Sequence, residues 1–291
     1  MKKLLSLAMA AAMCLTLTAC GNGGTSTPQS SQPNPSNSSD IGVIGGADSS
    51  TEIVTTDSDL AYIQNKGTLI VGITEFEPMD YQNSDGEWIG FDADLAKAFA
   101  ESLGVEVKFQ VIDWSNKVFE LDGKTIDVVW NGMTLNDEVM AAMECSNPYF
   151  DNAQVVIVPA DVADKYQTVE SVQDLAFAVE SGSAAQAQAD EHNFTYTEVE
   201  DQATTLMEVN SGTSDASIID YLMAKAMIGP GTGYENLTFT VSLNSEQYGV
   251  GFRKGSDMAA ALNEFFKTSY ADGTMQEIAE TYNIADKLVA Q

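Results

Sequence analysis

Strands and helices are predicted to alternate along most of this 291-residue chain, and this alternation constrains its fold more than any other feature. The continuous apolar run Leu69–Ile73 is typical of a strand buried on both faces. After it, Leu95, Phe99 and Leu103 recur at helical spacing up to Gly104, where the helix is expected to end. Such alternation favours an α/β architecture with largely parallel sheets.

The pattern continues through both halves of the chain. Alternating apolar residues from Val105 to Val111 predict a second strand. Further strands are expected at Ile126–Trp130, Ala176–Val179, Thr195–Val199 and Ala216–Ile219, with helices beginning near Ser115, Ser183, Gln202 and Tyr221. From Asp59 to Gln291 the chain is long enough for two lobes that each have their own core.

The N-terminus has the features of a removable leader. Lys2 and Lys3 precede an uncharged apolar run that ends in small residues, which predicts a signal peptide over 1–19. The run is shorter than the roughly 20 residues that a membrane-spanning helix needs. Residues 20–58 are rich in Gly, Ser, Thr, Pro and Asn, which predicts a flexible tether.

The segment Leu17-Thr18-Ala19-Cys20 resembles a bacterial lipobox. The resemblance implies cleavage before Cys20 and attachment of acyl chains through its sulfur, which would hold the protein on the extracellular face of the cytoplasmic membrane. An ordinary secretory leader with a chance cysteine is the alternative. Cys14 would leave with the leader and Cys145 would stand alone, so no internal disulfide and no paired-cysteine metal site is expected.

The chain is strongly acidic, with 13 basic and 43 acidic residues and a net charge of −30. Removal of Lys2 and Lys3 leaves 11 basic against 43 acidic residues, a net charge of −32. Because phosphate binding needs a basic surface, nucleic acid is excluded as a partner. No phosphate-binding loop, nucleophile elbow, zinc spacing or dinucleotide fingerprint occurs, so no cofactor or metal is expected.

Ligands of α/β sheets bind beyond the carboxyl ends of the strands, so residues at the strand ends are the candidates for binding. Phe76 and Trp114 favour binding, because no helix cap requires an aromatic ring there. Ser183 and Asn136 fit helix N-caps at least as well as ligand contacts. The candidate binding residues are Glu75, Phe76, Trp114, Asn131, Gly132, Thr134, Glu180, Ser181, Gly182, Ser183 and Asp220.

The segment Gly90–Ala100, which reads GFDADLAKAFA, resembles the signature of the family-3 extracellular solute-binding proteins, the amino-acid receptors of ABC importers. Similar matches occur at Asp122–Asp127, Ser146–Tyr149, Gly212–Ala216 and Gly249–Gly255, and together they span Gly67 to Ala285. The resemblance implies a monomeric receptor with the two-lobe fold of the type II periplasmic binding proteins, which hands its ligand to a permease.

That fold assigns 59–155 and 250–291 to the first lobe and 156–249 to the second. Two crossing strands are expected near Gln154–Val158 and Glu246–Val250. The C-terminal helices from Asp257 onward would return to the first lobe.

The resemblance also implies roles for the candidate residues. Phe76 and Trp114 match positions whose rings sandwich the bound amino acid, and Asp220 matches the carboxylate that receives the α-ammonium. Asn131–Thr134 matches a segment that hydrogen-bonds the ligand. Ser181–Ser183 matches the loop and helix start that meet the α-carboxylate.

One departure concerns the charge of the ligand. Members of the family usually carry Arg as a carboxylate clamp where this chain has Val139. Glu75, Glu180 and Asp220 are expected in the pocket, whereas Lys117 and Lys124 are expected to be solvated surface residues. We therefore expect a basic amino acid or an amine, because a buried carboxylate without a partner is costly. A neutral amino acid held by backbone N–H groups is the alternative.

Two other functions share these residues. A sensor that docks on a membrane receptor would have the same binding site as a transport receptor. A dehydratase on this fold would use a pair such as Glu75 and Glu180 for acid–base chemistry. We favour a binding protein over an enzyme, since the single His192 lies in a polar stretch that is typical of a solvated or capping residue.

Overall fold

The computed structural model describes residues 58–291. The predicted signal peptide, Cys20 and all but the last residue of the predicted tether lie outside the described residues. The strands are β1 (Thr68–Ile73), β2 (Tyr81–Gln82), β3 (Trp88–Ile89), β4 (Glu106–Val111), β5 (Val128–Thr134), β6 (Glu144–Cys145), β7 (Phe150–Asn152), β8 (Gln154–Pro159), β9 (Ala176–Glu180), β10 (Thr195–Val199), β11 (Ala216–Asp220), β12 (Leu237–Ser242) and β13 (Glu246–Phe252).

Helices follow most of these strands, as the sequence pattern predicted. They are α1 (Asp59–Lys66), α2 (Phe91–Leu103), α3 (Lys117–Asp122), α4 (Asp137–Ala142), α5 (Ala184–Glu191), α6 (Gln202–Ser211), α7 (Tyr221–Met227), α8 (Met258–Ala271) and α9 (Thr274–Thr281). Short 3-10 turns occur at Trp114–Asn116, Ala163–Lys165, Val169–Val172 and Ala285–Lys287. In the described part of the chain, no helix has the length and apolar character needed to cross a membrane.

Two mixed sheets form the centres of two lobes. The first sheet has the order β4-β1-β5-β13-β6, with β7 also paired to β13, and the second has the order β10-β9-β11-β8-β12. Strand β1 is parallel to β4 and β5, and β9 is parallel to β10 and β11. Strands β13 and β8 join these parallel groups in antiparallel orientation. The fold is therefore the two-lobe α/β arrangement of the type II periplasmic binding proteins.

The chain passes between the two sheets twice. Strand β7 ends in the first sheet at Asn152, and β8 begins in the second at Gln154. Strand β12 ends in the second sheet at Ser242, and β13 begins in the first at Glu246. Judged by the sheet to which each strand belongs, the chain passes from one lobe to the other at residue 153 and at residues 243–245. Both crossings lie a few residues before the predicted boundaries after 155 and 249.

The first lobe is built on the predicted apolar periodicity. Phe91, Leu95 and Phe99 on α2 are buried at a spacing of four residues, which places them on one helix face. The edge of the Trp130 ring on β5 packs against Phe266 on α8, with ring centroids 5.8 Å apart. This contact attaches a C-terminal helix to the sheet of the first lobe.

One strand differs from the prediction in a way that concerns function. The sequence pattern places a strand at Ile126–Trp130, whereas β5 runs from Val128 to Thr134. Asn131, Gly132 and Thr134 therefore belong to the strand itself, where their backbone groups are fixed by pairing with β13.

Candidate functional site

The carboxyl ends of three strands meet where the two lobes face each other. Glu180 ends β9 and Asp220 ends β11, and these are neighbouring parallel strands of the second lobe. Across from them lies the end of β5 from the first lobe. Between the lobes the structure leaves a cavity of about 20 Å³, lined by Trp114, Asn131, Gly132, Thr134, Glu180, Ser183, Ala184, Gln202 and Asp220.

This volume describes a closed arrangement of the lobes. A cavity of roughly 10–15 Å³ is needed for one water molecule, so an amino acid does not fit between the lobes in this conformation. Entry of a ligand requires the lobes to separate. Within residues 58–291, the two sheets are linked covalently by the segments that cross at residue 153 and at residues 243–245.

Asp220 is buried and held by neutral hydrogen-bond donors. Its Oδ1 accepts hydrogen bonds from Asn152 Nδ2 at 2.6 Å and from Tyr248 Oη at 2.6 Å. The pKa of Asp220 is raised to about 7, mainly by burial and then by the nearby negative charge of Glu246. A positively charged group beside Asp220 would reverse both effects.

Glu180 is the second carboxylate of the second lobe at this cavity. Its side chain is 2% exposed, and Oε1 has no hydrogen-bond partner among the described residues. Burial raises its pKa well above the usual value, and the charge of Asp220 raises it as well. The cavity therefore contains two acidic groups whose ionised forms are destabilised by their surroundings.

The sequence reasoning missed Glu246, the first residue of β13. Its carboxylate accepts hydrogen bonds from Thr134 Oγ1 at 2.9 Å, from Gln154 Nε2 at 2.8 Å and from Asn152 Nδ2 at 2.7 Å. Asn152 thus donates to both Glu246 and Asp220. The position of Glu246 in a predicted crossing strand was the available signal, and its acid group was not connected to the site because its contacts with Thr134, Asn152 and Gln154 are long-range.

Asn131 and Gly132 are held by a buried network of the first lobe. The Asn131 amide donates to Thr74 O at 3.0 Å and to Asp80 Oδ2 at 2.8 Å, while its oxygen accepts from the backbone N–H and the hydroxyl of Thr74. Gly132 N donates to Asp92 Oδ2 at 2.6 Å. The side chain of Asn131 therefore positions the strand, and the amide has its hydrogen-bonding capacity filled within the protein.

The two predicted aromatic residues have different environments. Trp114 lines the cavity, whereas Phe76 is 2% exposed and packs against Gly132 and the edge of Tyr248. Gly132 has a φ of 54°, and a Cβ there would lie 2.5 Å from the Phe76 ring. A glycine at this position allows both the left-handed backbone and the close approach of the ring.

Three predicted residues besides Phe76 lie outside the cavity lining. The structure places Glu75 on the surface, where its carboxylate accepts from Gln82 N at 3.1 Å, so the expectation that it belongs to the pocket is corrected. Ser181 Oγ donates to Glu198 at 2.7 Å. Gly182 touches the other lobe instead, since a Cβ on it would lie 2.7 Å from Ser115 Cα.

Lys117 also corrects the prediction of a solvated lysine. It is only 8% exposed, and its Nζ donates to Gly182 O in the second lobe at 2.8 Å. Lys124 is exposed and lies over the Tyr62 ring. The site therefore has one buried cation that the sequence pattern did not reveal, because α3 is too short to show a periodicity.

Both capping interpretations are confirmed. Ser183 is the N-cap of α5 and accepts from Gln186 N at 3.2 Å, and it also lines the cavity. Asn136 is the N-cap of α4 and accepts from Val139 N at 2.8 Å. His192 is the C-cap residue of α5.

Two α/β lobes, two crossing segments and a cleft lined by strand ends define a protein of the binding-protein class. The chain belongs to the bacterial extracellular solute-binding proteins, family 3, whose model matches residues 69–285.

Individual relatives support this membership. The L-cystine-binding protein TcyJ of Escherichia coli is 27% identical over 231 residues, covering 77% of this chain and 85% of that protein. The arginine-binding extracellular protein ArtP of Bacillus subtilis is 25% identical over 294 residues, covering 99% and 100%. An ABC uptake transporter substrate-binding protein of Streptococcus pneumoniae, solved with bound histidine, superposes with a TM-score of 0.72 at 28% identity, covering 78% and 97%.

Proposed function

We propose that this protein captures a positively charged amino acid or a related amine between its lobes and delivers it to the permease of an ABC importer. The observation that carries the proposal is the pair of buried carboxylates, Glu180 and Asp220, that line the interlobe cavity. Relatives named for arginine binding and a similar structure with bound histidine support an amino acid as the ligand.

The charge argument concerns the cost of two ionised acids in one buried site. Ionising Glu180 and Asp220 together is opposed by burial and by their mutual repulsion. A ligand that brings an ammonium and a second cationic group would offset both costs through charge-assisted hydrogen bonds. With a neutral or acidic side chain, the ligand would supply a cationic partner for only one of the two carboxylates.

The mechanism is closure of the two lobes around the ligand. The ligand binds in an open cleft, and rotation at the two crossing segments brings the strand ends together. Contacts that exist only in the closed form must drive this change, because a ligand shifts a conformational equilibrium only by its differential affinity for the two states. The contact of Lys117 and Ser115 with Gly182 is of this interlobe kind.

Anchoring through Cys20 would keep the protein beside its permease. Cells that carry a Cys20→Ala variant should release the protein into the medium and lose uptake of radiolabelled ligand at low external concentration. Membrane-retained protein in that variant would contradict the anchor. If the purified protein binds the ligand but cells that lack its gene take up the ligand normally, a sensor is favoured over a transport receptor.

Ligand binding is tested by thermal unfolding of the purified full-length chain with a panel of probes. The panel contains L-arginine, L-lysine, L-histidine, agmatine, cadaverine, L-glutamine, L-alanine and L-glutamate. A ligand at a hundredfold excess over its Kd stabilises by about 2.7 kcal/mol. At this size that corresponds to a shift of roughly 5–10 °C.

The charge requirement is tested with two matched variants. Glu180→Gln should reduce the shift with cationic probes, whereas Glu75→Gln, also at a strand end but exposed, should leave it unchanged. A shift with neutral amino acids alone would refute the cationic ligand and keep the receptor. The absence of any shift would refute amino-acid binding.

A further inference from the structure

Lys117 is a buried cation at the boundary between the two lobes. Its side chain extends from the first residue of α3, and its Nζ donates to Trp114 O at 3.2 Å and to Gly182 O at 2.8 Å. The ammonium also lies 4.9 Å from the centre of the Trp114 ring. Lys117 thus contacts both lobes with a charged group that is only 8% exposed as a residue.

This ammonium forms no ion pair with the residues that the structure describes, since none of the pairs found within 4 Å among residues 58–291 includes Lys117. Two of its three N–H groups are used, and both are donated to neutral carbonyl oxygens. A buried charge that lacks a counterion is costly, so an anionic group from outside the chain would be favoured beside it.

Three acids favour the charged form of this ammonium, although none of them forms an ion pair with it. Burial lowers the pKa of Lys117, and the negative charges of Glu180, Glu138 and Asp113 oppose that decrease. These acids face the ammonium from the second lobe, from α4 and from the turn before α3 respectively. Two of the three N–H groups of Lys117 are used by carbonyl oxygens, so one N–H is left for a further acceptor.

Space for an anionic group lies directly beside this lysine. A second interlobe cavity, of about 320 Å³, is lined by Lys117, Val139 and Ala142 from the first lobe and by Gly182, Ser183 and Gln186 from the second. Lys117 is the one basic residue among the described residues that line it. Ser183 borders this cavity and also the cavity that contains Asp220 and Glu180.

Ser183 therefore lies between two cavities: Glu180 and Asp220 line one, and the Lys117 ammonium lines the other together with Glu138 and Asp190. We propose that the Lys117 ammonium binds the carboxylate of the ligand, so that the site selects an amino acid over the amine that its decarboxylation would give. This inference rests on the proposed function and decides between its two ligand classes.

The test compares pairs of probes that differ only in the carboxylate. L-arginine with agmatine, L-lysine with cadaverine and L-histidine with histamine are titrated calorimetrically into the full-length protein and into Lys117→Met and Lys117→Arg variants. The wild type should bind at least one amino acid more tightly than its amine. Lys117→Met should reduce that ratio by about tenfold to a hundredfold, because hydrogen bonds to charged groups contribute about 1.5–3 kcal/mol, while affinity for the amine is retained.

Lys117→Arg should keep most of the preference, since it keeps the charge. The inference is wrong if Lys117→Met leaves the ratio of the two affinities unchanged. If both affinities fall by the same factor, Lys117 only joins the lobes; if neither falls, Lys117 has no part in binding. Binding of no probe by the wild type refutes the proposed function itself. Circular dichroism checks the fold of each variant, and Lys117→Gln replaces Lys117→Met if the latter does not fold.

Discussion

Replacing Asp220 with asparagine should make the protein more stable and less able to bind its ligand. The substitution keeps the shape of the side chain and an acceptor oxygen for Asn152 Nδ2 and Tyr248 Oη. It removes a negative charge that is buried near Glu246. A group that serves binding at the expense of stability is expected to behave in this way: its removal raises the stability and weakens the binding.

The size of the effect follows from the pKa of Asp220, which lies at about 7 in the folded protein against a usual value of 3.8. Because the folded pKa is raised, the neutral form is favoured in the folded protein, and the contribution to stability is full below about pH 4 and is lost as pH rises through 7. The loss is about 4 kcal/mol above pH 8, since one pKa unit corresponds to about 1.4 kcal/mol. The gain from Asp220→Asn should therefore approach about 4 kcal/mol at pH 8.5 and be less than half of that at pH 5.

Urea unfolding of wild type, Asp220→Asn and the exposed-site control Glu75→Gln at these two pH values measures the difference. The control should change stability by less than about 0.5 kcal/mol at either pH. In calorimetry, Asp220→Asn should weaken the tightest probe by at least about 30-fold, because truncating one partner of a buried charge pair costs about 2–5 kcal/mol. Equal stability of wild type and variant at pH 8.5, or unchanged affinity, would refute the reasoning.

Three further outcomes are expected. Affinity for a cationic ligand should fall by about tenfold per pH unit below pH 7, as Asp220 must lose its proton to bind, and calorimetry from pH 8 to pH 5 measures this. Gly182→Ala should weaken binding and enlarge the radius of gyration measured by X-ray scattering, because the added Cβ would lie 2.7 Å from Ser115 Cα in the first lobe. The control Gly212→Ala should do neither, because Gly212 has a similar φ but open space around it. Arg253→Leu should destabilise by about 3–5 kcal/mol, since it breaks a buried pair with both oxygens of Asp59. Lys267→Met, which breaks an exposed ion pair with Glu264, should reduce the free energy of unfolding by less than about 1 kcal/mol in the same assay. A larger reduction in this control would contradict the view that burial makes the Arg253 pair the stronger one.

Much of the site was predictable because it depends on strand ends. Glu180, Ser183 and Asp220 were identified from the positions at which apolar runs stop, and these residues do line the cavity between the lobes. Glu75 follows the same pattern, yet its carboxylate lies on the surface beside Gln82 N. A strand end fixes where a residue lies along the sheet, whereas the path of the following loop decides where its side chain points.

The resemblance to the family indicated the segments that cross between the lobes, whereas the residue pattern by itself determined the main strands and helices and the caps of α4 and α5. The main elements and these caps depend on periodicity, glycine and capping residues within a few positions along the chain, so local physics is sufficient for them. Only the tertiary structure placed Lys117 against Gly182, which is 65 residues away, and joined Glu246 to Thr134 across 112 residues. The charge balance of the cleft depends on such distant pairs, because burial and counterions that set the state of an ionisable group come from the packing of the whole molecule.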